Sequence, residues 1–361
     1  RSSDLSPPGS AAHLSFSPSF PSPTVRSVRV STAAAENSTP AKGAPEPPGN
    51  EKKASFKSSG ARPGDAIFSS LSVGSGLIIF AVLAAIFIFL LIQSLPAIEN
   101  WNAIPTNSGK QNLLEFVGPL VFGTVLASLL ALIIAAPIAI GIALFISHYA
   151  PRKLAMPIGY VIDLLAAVPS VVFGLWGGVW LVPLMQPLYT FLNTSPLTSW
   201  IPFFQGNPHA PMRNVMTASI VLAVMILPII TAVSREVFLQ TPGLQEEAAI
   251  GLGATKWEMV RMVVLPFGRN GVVSACMLGL GRALGETMAV LMVLSPGYTY
   301  SLHLLEVGRH MTIASFIASQ NAESTGIDMA KLIFAGLVLF LITFIINALA
   351  RWIVAASARK K

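Results

Sequence analysis

The sequence has few charged residues: Asp, Glu, Lys and Arg make up only 11% of its 361 positions, against about 25% in a soluble globular domain. Hydrophobic residues make up 53%, and the mean hydropathy is +0.68. This composition excludes an ordinary soluble domain and predicts a protein that lies in a lipid bilayer. The net charge of +7 comes from basic residues at segment ends and in particular loops. That arrangement favours anionic lipid headgroups over nucleic acid, which requires a basic face with stacking aromatics.

The sequence also lacks the residues of common catalytic and cofactor sites. Its only cysteine is Cys276, so no intrachain disulfide and no thiolate metal cluster can form. There is no G-x-x-x-x-G-K-S/T loop and no H-E-x-x-H pair, and the glycines at 279, 281 and 285 miss the dinucleotide-binding spacing. We therefore predict that the chain is not an enzyme, does not hydrolyse ATP itself, and binds no cofactor or metal.

The first 66 residues differ in composition from the rest. They are dominated by Ser, Pro and Ala, and the first 35 contain one acid, Asp4, against three arginines. Such a segment cannot bury enough apolar surface to fold, so we predict a disordered extension over residues 1–66. Its composition is typical of an organelle transit peptide, and residues 28–34 resemble the processing region of a chloroplast one. The alternative is an unstructured cytoplasmic extension of a bacterial protein.

Residues 67–361 contain the long apolar runs. About 20 predominantly apolar residues cross a bilayer core, and six stretches satisfy this. They lie near residues 72–95, 119–146, 165–184, 215–233, 271–295 and 332–350. Pro137, Pro169 and Pro228 are expected to kink or break their helices, which neighbouring helices would have to compensate. The sequence therefore predicts an all-α polytopic membrane protein with six bundled transmembrane helices.

Basic residues are distributed unequally between the two sets of connecting loops. One set holds Lys52, Lys53, Lys57, Arg62, Arg152, Lys153, Arg235, Lys256, Arg261, Arg269, Arg351, Arg359, Lys360 and Lys361. The opposite set holds only Lys110, Arg213, Arg309 and Lys331. By the positive-inside rule, both termini and the loop over residues 235–270 face the cytoplasm, or the stroma of a plastid.

The loop over residues 235–270 is expected to form two helices joined by a turn. Thr241 is predicted to cap the first helix, with Pro242 at its first position, and Gly251 and Gly253 to end it with positive φ angles. The capping box from Thr255 to Glu258 opens a second helix that runs towards Pro266. Such an arrangement suits a lever that projects from the membrane. The alternative is an ordinary loop that lies on the headgroups.

Span five carries two charges. Arg282 lies near the middle of residues 271–295, where it costs roughly 2.5–3.5 kcal/mol, so we expect it to face a cavity or a partner. Glu286 follows four residues later, on the same face of a continuous helix. The small residues Gly281 and Gly285 would let another helix approach closely. The guanidinium suits phosphate or carboxylate oxygens, whereas the alternative is an internal ion pair that holds the bundle together.

Two resemblances narrow the interpretation. The spacing Glu247-Ala248-Ala249-x3-Gly253-x9-Val263-x-Leu265-Pro266 resembles the E-A-A-x3-G-x9-I-x-L-P loop of ABC importer permeases, with only Val263 departing. This resemblance implies a coupling helix that docks on a separate ATPase subunit, where ATP and Mg²⁺ are bound. The residues it assigns to coupling are Glu246, Glu247, Ala248, Ala249, Gly253, Leu265 and Pro266.

The second resemblance is to phosphate-specific permeases of the PstC type. It is carried by G-R-A-L-G-E-T-M-A at 281–289 and by L-L-A-A-V-P-S-V-V-F-G-L-W-G at 164–177. Asp163 stands where that family commonly has Glu. The resemblance covers 67–361 and implies a type I ABC importer (MetI-like) permease fold, with Arg282 and Glu286 in the phosphate path. It also implies three kinds of partner: a second permease of the PstA type, two copies of a PstB-type ATPase, and a PstS-type phosphate-binding protein.

Three alternatives remain open at this stage. The first is an importer permease for another substrate, such as molybdate, sulfate or an amino acid, because the coupling loop is shared among importers. The second is a membrane-embedded enzyme that uses Arg282 and Glu286, although other polar residues in the spans are scattered. The third is a structural subunit that transports nothing. The membrane is the plastid inner envelope if the extension is a transit peptide, and otherwise the bacterial plasma membrane.

Overall fold

The structure, a computed structural model, describes residues 63–358 apart from 103, 107–108, 199 and 207–208. The expected transit peptide and nearly all of the expected extension over 1–66 therefore lie outside the described residues. The first described helix begins at Pro63, a few residues before the predicted domain boundary.

The regular secondary structure of the described residues is helical apart from one short antiparallel hairpin, β1 (Ile104–Thr106) and β2 (Gly109–Gln111). The helices are α1 (Pro63–Glu99), α2 (Leu113–Leu144), α3 (Arg152–Ala166), α4 (Ser170–Trp176), α5 (Val182–Thr194), α6 (Val215–Leu239), α7 (Gly243–Gly251), α8 (Lys256–Met259), α9 (Leu265–Leu284), α10 (Met288–Val293), α11 (Ile313–Gln320) and α12 (Ile327–Ala358).

Six helical stretches among the described residues are long and apolar enough to cross a membrane. They are Ile67–Glu99, Leu113–Tyr149, Ser170–Thr194, Val215–Leu239, Lys256–Leu284 and Ile327–Trp352. The predicted all-α, six-span class is confirmed, and the chain is a multi-pass membrane protein. The bounds of span five are wrong, however, because its helix begins fifteen residues before residue 271 and ends at Leu284.

Three spans contain a π-helical turn, and each turn lies just before a proline. The turns are Phe145–Tyr149 before Pro151, Gly177–Leu181 before Pro183, and Val260–Val264 before Pro266. In the last of these, the Leu265 N–H bonds to the Val260 carbonyl, five residues back. A proline donates no hydrogen bond and its ring crowds the carbonyl four residues back, so a wider turn lets the helix continue past Pro183 and Pro266. At the first turn the helix ends instead, since Ala150 is extended and Pro151 is the N-cap of α3.

The three prolines expected to disturb their helices behave differently. Pro137 and Pro228 lie inside α2 and α6, which continue past them. Pro169 is the N-cap of α4, after α3 has ended at Ala166. The expected break therefore occurs only at Pro169.

Small residues allow α2, α6 and α9 to pack closely at the centre of the bundle. The α2 face is a stripe of fully buried alanines four residues apart, Ala127, Ala131, Ala135, Ala139 and Ala143. On α9, a Cβ added at Gly279 would lie 2.8 Å from Ile230 of α6, and one at Gly268 would lie 2.8 Å from Phe238. Without a hydrophobic drive between helices in lipid, such close contact is the main source of their association.

The segment between α10 and α11 is not helical, yet it is packed into the bundle. Part of its backbone is satisfied by neighbours: the Asn214 side chain donates to the Leu305 carbonyl at 3.1 Å, and the Leu304 N–H donates to the Phe203 carbonyl at 2.9 Å. His310 in this segment is 1% exposed and stacks on Phe122. Irregular backbone in a membrane protein requires such satisfaction by the surrounding protein.

Candidate functional site

The turn between α7 and α8 is a C-terminal helix cap that depends on glycine. Gly253 has φ +89°, its N–H bonds to the Ile250 carbonyl at 2.9 Å, and the Ala254 N–H bonds to the Ala249 carbonyl at 3.1 Å. These are the two hydrogen bonds of a Schellman motif, in which the left-handed residue is usually Gly. The prediction of positive φ is confirmed at Gly253 and is wrong at Gly251, which is the last residue of α7.

The start of α7 differs from the expectation by one residue. Pro242 is the N-cap and Gly243 the first helical residue. Thr241 does not cap the helix, because its Oγ1 is buried and makes no hydrogen bond with any described residue. The capping box of α8 is confirmed: the Glu258 N–H donates to Thr255 Oγ1 at 3.3 Å, and the Thr255 N–H donates to Glu258 Oε2 at 2.8 Å.

The second half of the loop and span five form one helix. Residues Lys256–Leu284 are helical throughout, a length of about 43 Å. Pro266 lies inside this helix rather than at a junction between loop and span, and the π-helical turn before it explains why the helix continues. A tilt of α8 is therefore applied to span five without an intervening hinge.

The residues assigned to coupling divide into an outward and an inward set. Glu247 and Ala248 are exposed, beside the apolar side chains of Leu244, Ile250 and Leu252, which are 82%, 53% and 91% exposed. The inward members are Ala249 and Leu265, which pack against a buried cluster of Ala143, Leu144, Phe238, Met259, Val260 and Val264. Glu246 also turns inward, towards His148 at the end of span two.

The charged pair of span five is not on one helical face. α9 ends at Leu284, Gly285 follows it, and the short α10 begins at Met288. Glu286 lies in this interruption and is 8% exposed, and its Oε1 accepts a hydrogen bond from the Ala289 N–H at 3.2 Å. Arg282 and Glu286 form no ion pair, so within this chain the alternative of an internal pair is wrong.

Arg282 is exposed and makes no hydrogen bond or ion pair with any residue that the structure describes. It lies in the last turn of α9, where the negative end of the helix dipole stabilises a cation. It is thirteen residues beyond Arg269, or about 20 Å along the axis, and the residues between them carry no charge. If Arg269 marks the headgroups, Arg282 lies within the roughly 30 Å hydrocarbon core.

A strip of α9 on either side of Arg282 faces away from the other described residues. Ser274, Leu278 and Gly285 are exposed at helical spacing, and a Cβ added at Gly281 would have no neighbour within 4 Å. The close approach expected at Gly281 and Gly285 is thus not made by any helix among the described residues. A guanidinium on such a strip is costly against lipid, which indicates that the strip faces a polar path or another protein.

The two segments that carry the phosphate-permease resemblance are in contact. A Cβ added at Gly174 of α4 would lie 2.7 Å from the Ala289 Cα of α10. Asp163, where the resemblance departs from Glu, lies 3.6 Å from the Arg235 guanidinium at the end of α6. Neither this contact nor the one between His148 and Glu246 could be predicted from local patterns, because each joins residues that are distant along the chain.

The described residues show six candidate membrane spans and a two-helix loop whose second helix continues into span five. They also show an arginine in the last turn of that span with no hydrogen bond or ion pair to a described residue. These are features of an integral membrane transport subunit. Residues 135–360 match the family described as binding-protein-dependent transport system inner membrane component, and the chain belongs to that family. It is a permease subunit of an ABC-type transporter, not an enzyme, and the predicted family is confirmed.

Curated relatives are similar over most of their length. The chain is 47% identical over 300 residues to phosphate transport system permease protein PstC 2 of Mycobacterium tuberculosis, covering 81% of this chain and 92% of that protein. It is 37% identical over 310 residues to PstC of Haemophilus influenzae, covering 82% of this chain and 95% of that protein. Among solved structures, a chain of the MetNI methionine ABC transporter in an inward-facing conformation matches with a TM-score of 0.47 at 17% identity. The match covers 67% of this chain and 95% of that chain.

Proposed function

We propose that this chain is the transmembrane permease subunit of an ATP-driven importer of inorganic phosphate. The observation that carries the proposal is Arg282, which is exposed at the end of a candidate membrane span and has no hydrogen bond or ion pair with a described residue. The chain's curated relatives are named phosphate transport permeases. An anion that crosses a membrane needs a compensating charge in its path, and a guanidinium offers a planar fork of donors to phosphate oxygens.

The interruption after Arg282 supplies the second element of the proposed path. Substrate sites in transporters commonly lie where a helix is broken, since unwound backbone is tolerated only where it lines a cavity. Glu286 Oε1 is used to cap α10, whereas its Oε2 makes no hydrogen bond with a described residue. In our proposal, Oε2 accepts a hydrogen bond from a protonated oxygen of phosphate. Sulfate carries no proton and cannot donate this bond, so the contact selects phosphate over sulfate.

The exposed surfaces fit the proposed partners. A second permease of the PstA type covers the α9 strip, so that the path runs between the two subunits. The apolar patch of Leu244, Ile250 and Leu252 beside Glu247 docks on a PstB-type ATPase, of which the complex has two copies that bind ATP and Mg²⁺. A PstS-type phosphate-binding protein delivers the anion on the opposite side of the membrane.

The orientation and the membrane are part of the proposal. Both termini and the coupling loop lie on the cytoplasmic side, or on the stromal side in a plastid, as the basic residues indicate. The membrane is the plastid inner envelope if residues 1–66 direct import, and otherwise the bacterial plasma membrane, as expected from the bacterial relatives. A fusion of residues 1–66 to a fluorescent protein, tested for import by isolated chloroplasts, distinguishes the two.

The experiment for phosphate transport uses proteoliposomes that contain the complete complex. ATP-dependent uptake of labelled phosphate is measured alone and with an excess of unlabelled phosphate, sulfate or molybdate. We expect competition by unlabelled phosphate and none by the other two anions. Uptake of sulfate or molybdate in preference to phosphate would establish the alternative of an importer for another anion. No uptake of any anion by an intact complex that hydrolyses ATP would favour a structural subunit.

A further inference from the structure

The cytoplasmic end of span two contacts the coupling loop on both sides of Gly253. His148 Nε2 lies 3.2 Å from Glu246 Oε1 on α7, and the Lys256 ammonium of α8 lies over the Tyr149 ring at 5.2 Å from its centroid. We call these two pairs, His148–Glu246 and Tyr149–Lys256, the span-two contact. Both of its span-two members belong to the π-helical turn Phe145–Tyr149.

The His148 side chain is held in position for this contact. It is 7% exposed, and its Nδ1 lies 2.7 Å from Ser147 Oγ, so the ring is fixed from one side and bonds to Glu246 from the other. A carboxylate only accepts hydrogen bonds, so Nε2 carries the proton in this pair. The Glu246 side chain is 24% exposed, which leaves the bond largely shielded from water and therefore stronger than a surface pair.

The turn that carries His148 is joined rigidly to the core. Next to it, Ala143 is the last member of the buried alanine stripe along which α2 packs on α6. Ala143 and Leu144 also pack in one cluster with Val260 and Val264, which precede α9. A force on the turn is therefore transmitted into α2 through close packing rather than through a flexible connection.

We propose that His148 is a positioning residue for energy coupling, through which movement of α7 reaches span two in addition to span five. Span five receives movement through the continuous helix from Lys256, whereas α7 has no covalent connection to span five except across Gly253. The span-two contact gives α7 its own path into the bundle. Two helices that move together change the width of a path between subunits more than one helix does. This inference rests on the proposed coupling role of the loop.

The test uses hydrogen–deuterium exchange in the complete complex, with and without ATP. In the wild type we expect ATP to change the exchange of α7 and of residues 145–149 together. In His148→Leu, which keeps the volume but removes the donor, α7 should still respond and residues 145–149 should not. His148→Gln keeps a donor at the same place and should restore the response. The exchanged pair His148→Glu with Glu246→His should restore it as well.

A transport measurement on the same variants separates coupling from mere structural support. We expect the number of phosphate ions transported per ATP to fall about fivefold or more in His148→Leu, and to recover in His148→Gln. Gln245→Ala is the matched control and should behave as wild type, because Gln245 is beside Glu246 but is exposed and its side chain makes no hydrogen bond with a described residue.

Each outcome decides one of the two claims. If residues 145–149 respond to ATP equally in His148→Leu and wild type, the inference is wrong, whatever the complex transports. If the wild type transports no phosphate but shows the linked exchange response, the span-two contact stands and the substrate assignment fails. If His148→Gln is as impaired as His148→Leu, the imidazole serves packing rather than the hydrogen bond to Glu246, which also overturns the inference.

Discussion

Substitution of Gly253 by alanine tests the turn of the coupling loop with little steric interference. A Cβ at this position would meet no atom within 4 Å, so the effect comes from the backbone alone. At φ +89° an L-residue costs about 1–2 kcal/mol relative to glycine. That amount shifts the population of the intact Schellman cap by a factor of roughly 5–30. The hydrogen bonds from Gly253 to Ile250 and from Ala254 to Ala249 are therefore expected to open more often.

Gly251→Ala is the matched control for this prediction. Gly251 lies two residues away with an ordinary helical φ, and a Cβ there would also meet no atom within 4 Å. Alanine in a helix is favoured over glycine by about 0.5–1 kcal/mol, so this variant should be neutral or slightly stabilised. The assay is amide exchange at residues 253 and 254, together with phosphate transported per ATP in proteoliposomes.

We expect faster exchange and fewer phosphate ions per ATP in Gly253→Ala, and wild-type values in Gly251→Ala. Gly253→Asn should be intermediate, since asparagine tolerates the left-handed region better than alanine. Equal exchange and equal coupling in both alanine variants would refute the reasoning, because they would show that the turn tolerates a side chain without cost.

Three further predictions follow from the site and its surroundings. Leu252→Asp should weaken binding of the ATPase subunit, measured by copurification, without unfolding the chain, because Leu252 is 91% exposed. Gly174→Leu should lower the free energy of unfolding by about 1–3 kcal/mol, measured as a lower melting temperature, since its Cβ would lie 2.7 Å from Ala289 Cα. Burial lowers the pKa of His310 in the folded protein below its ordinary value of 6.5. The folded state therefore favours the neutral imidazole, and its stability is full above pH 6.5 and decreases as the pH falls below that value. The melting temperature should therefore decline from pH 7 towards about pH 5 less steeply in His310→Gln than in wild type.

Local sequence patterns were sufficient wherever the structure is decided within a few residues. The capping box of Thr255 and Glu258 and the left-handed Gly253 involve neighbours along the chain, and both were predicted correctly. The apolar runs identified all six spans, because length and hydropathy reflect the thickness of the bilayer. The class of the protein and its family could thus be predicted before any three-dimensional contact was known.

The bounds of span five could not be predicted in the same way. The apolar run continues through the interruption at Gly285–Thr287, and Pro266 suggested a break where a π-helical turn instead allows the helix to continue. Gly285 followed by a polar pair was a signal for a helix end, but the apolar pattern outweighed it. The hydrogen bond between His148 and Glu246 joins residues 98 positions apart, and no local pattern reports such a contact.

The central claim is that Arg282 contacts the transported anion, and its most direct test is phosphate uptake by Arg282→Gln. The complex is reconstituted in proteoliposomes, and assembly is checked by the stoichiometry of its subunits. Arg351→Gln, which removes an exposed arginine near the C-terminal end of α12, is the matched control. We predict that ATP-dependent uptake is abolished in Arg282→Gln and retained in Arg351→Gln, with both complexes intact. Normal uptake by Arg282→Gln would contradict the account.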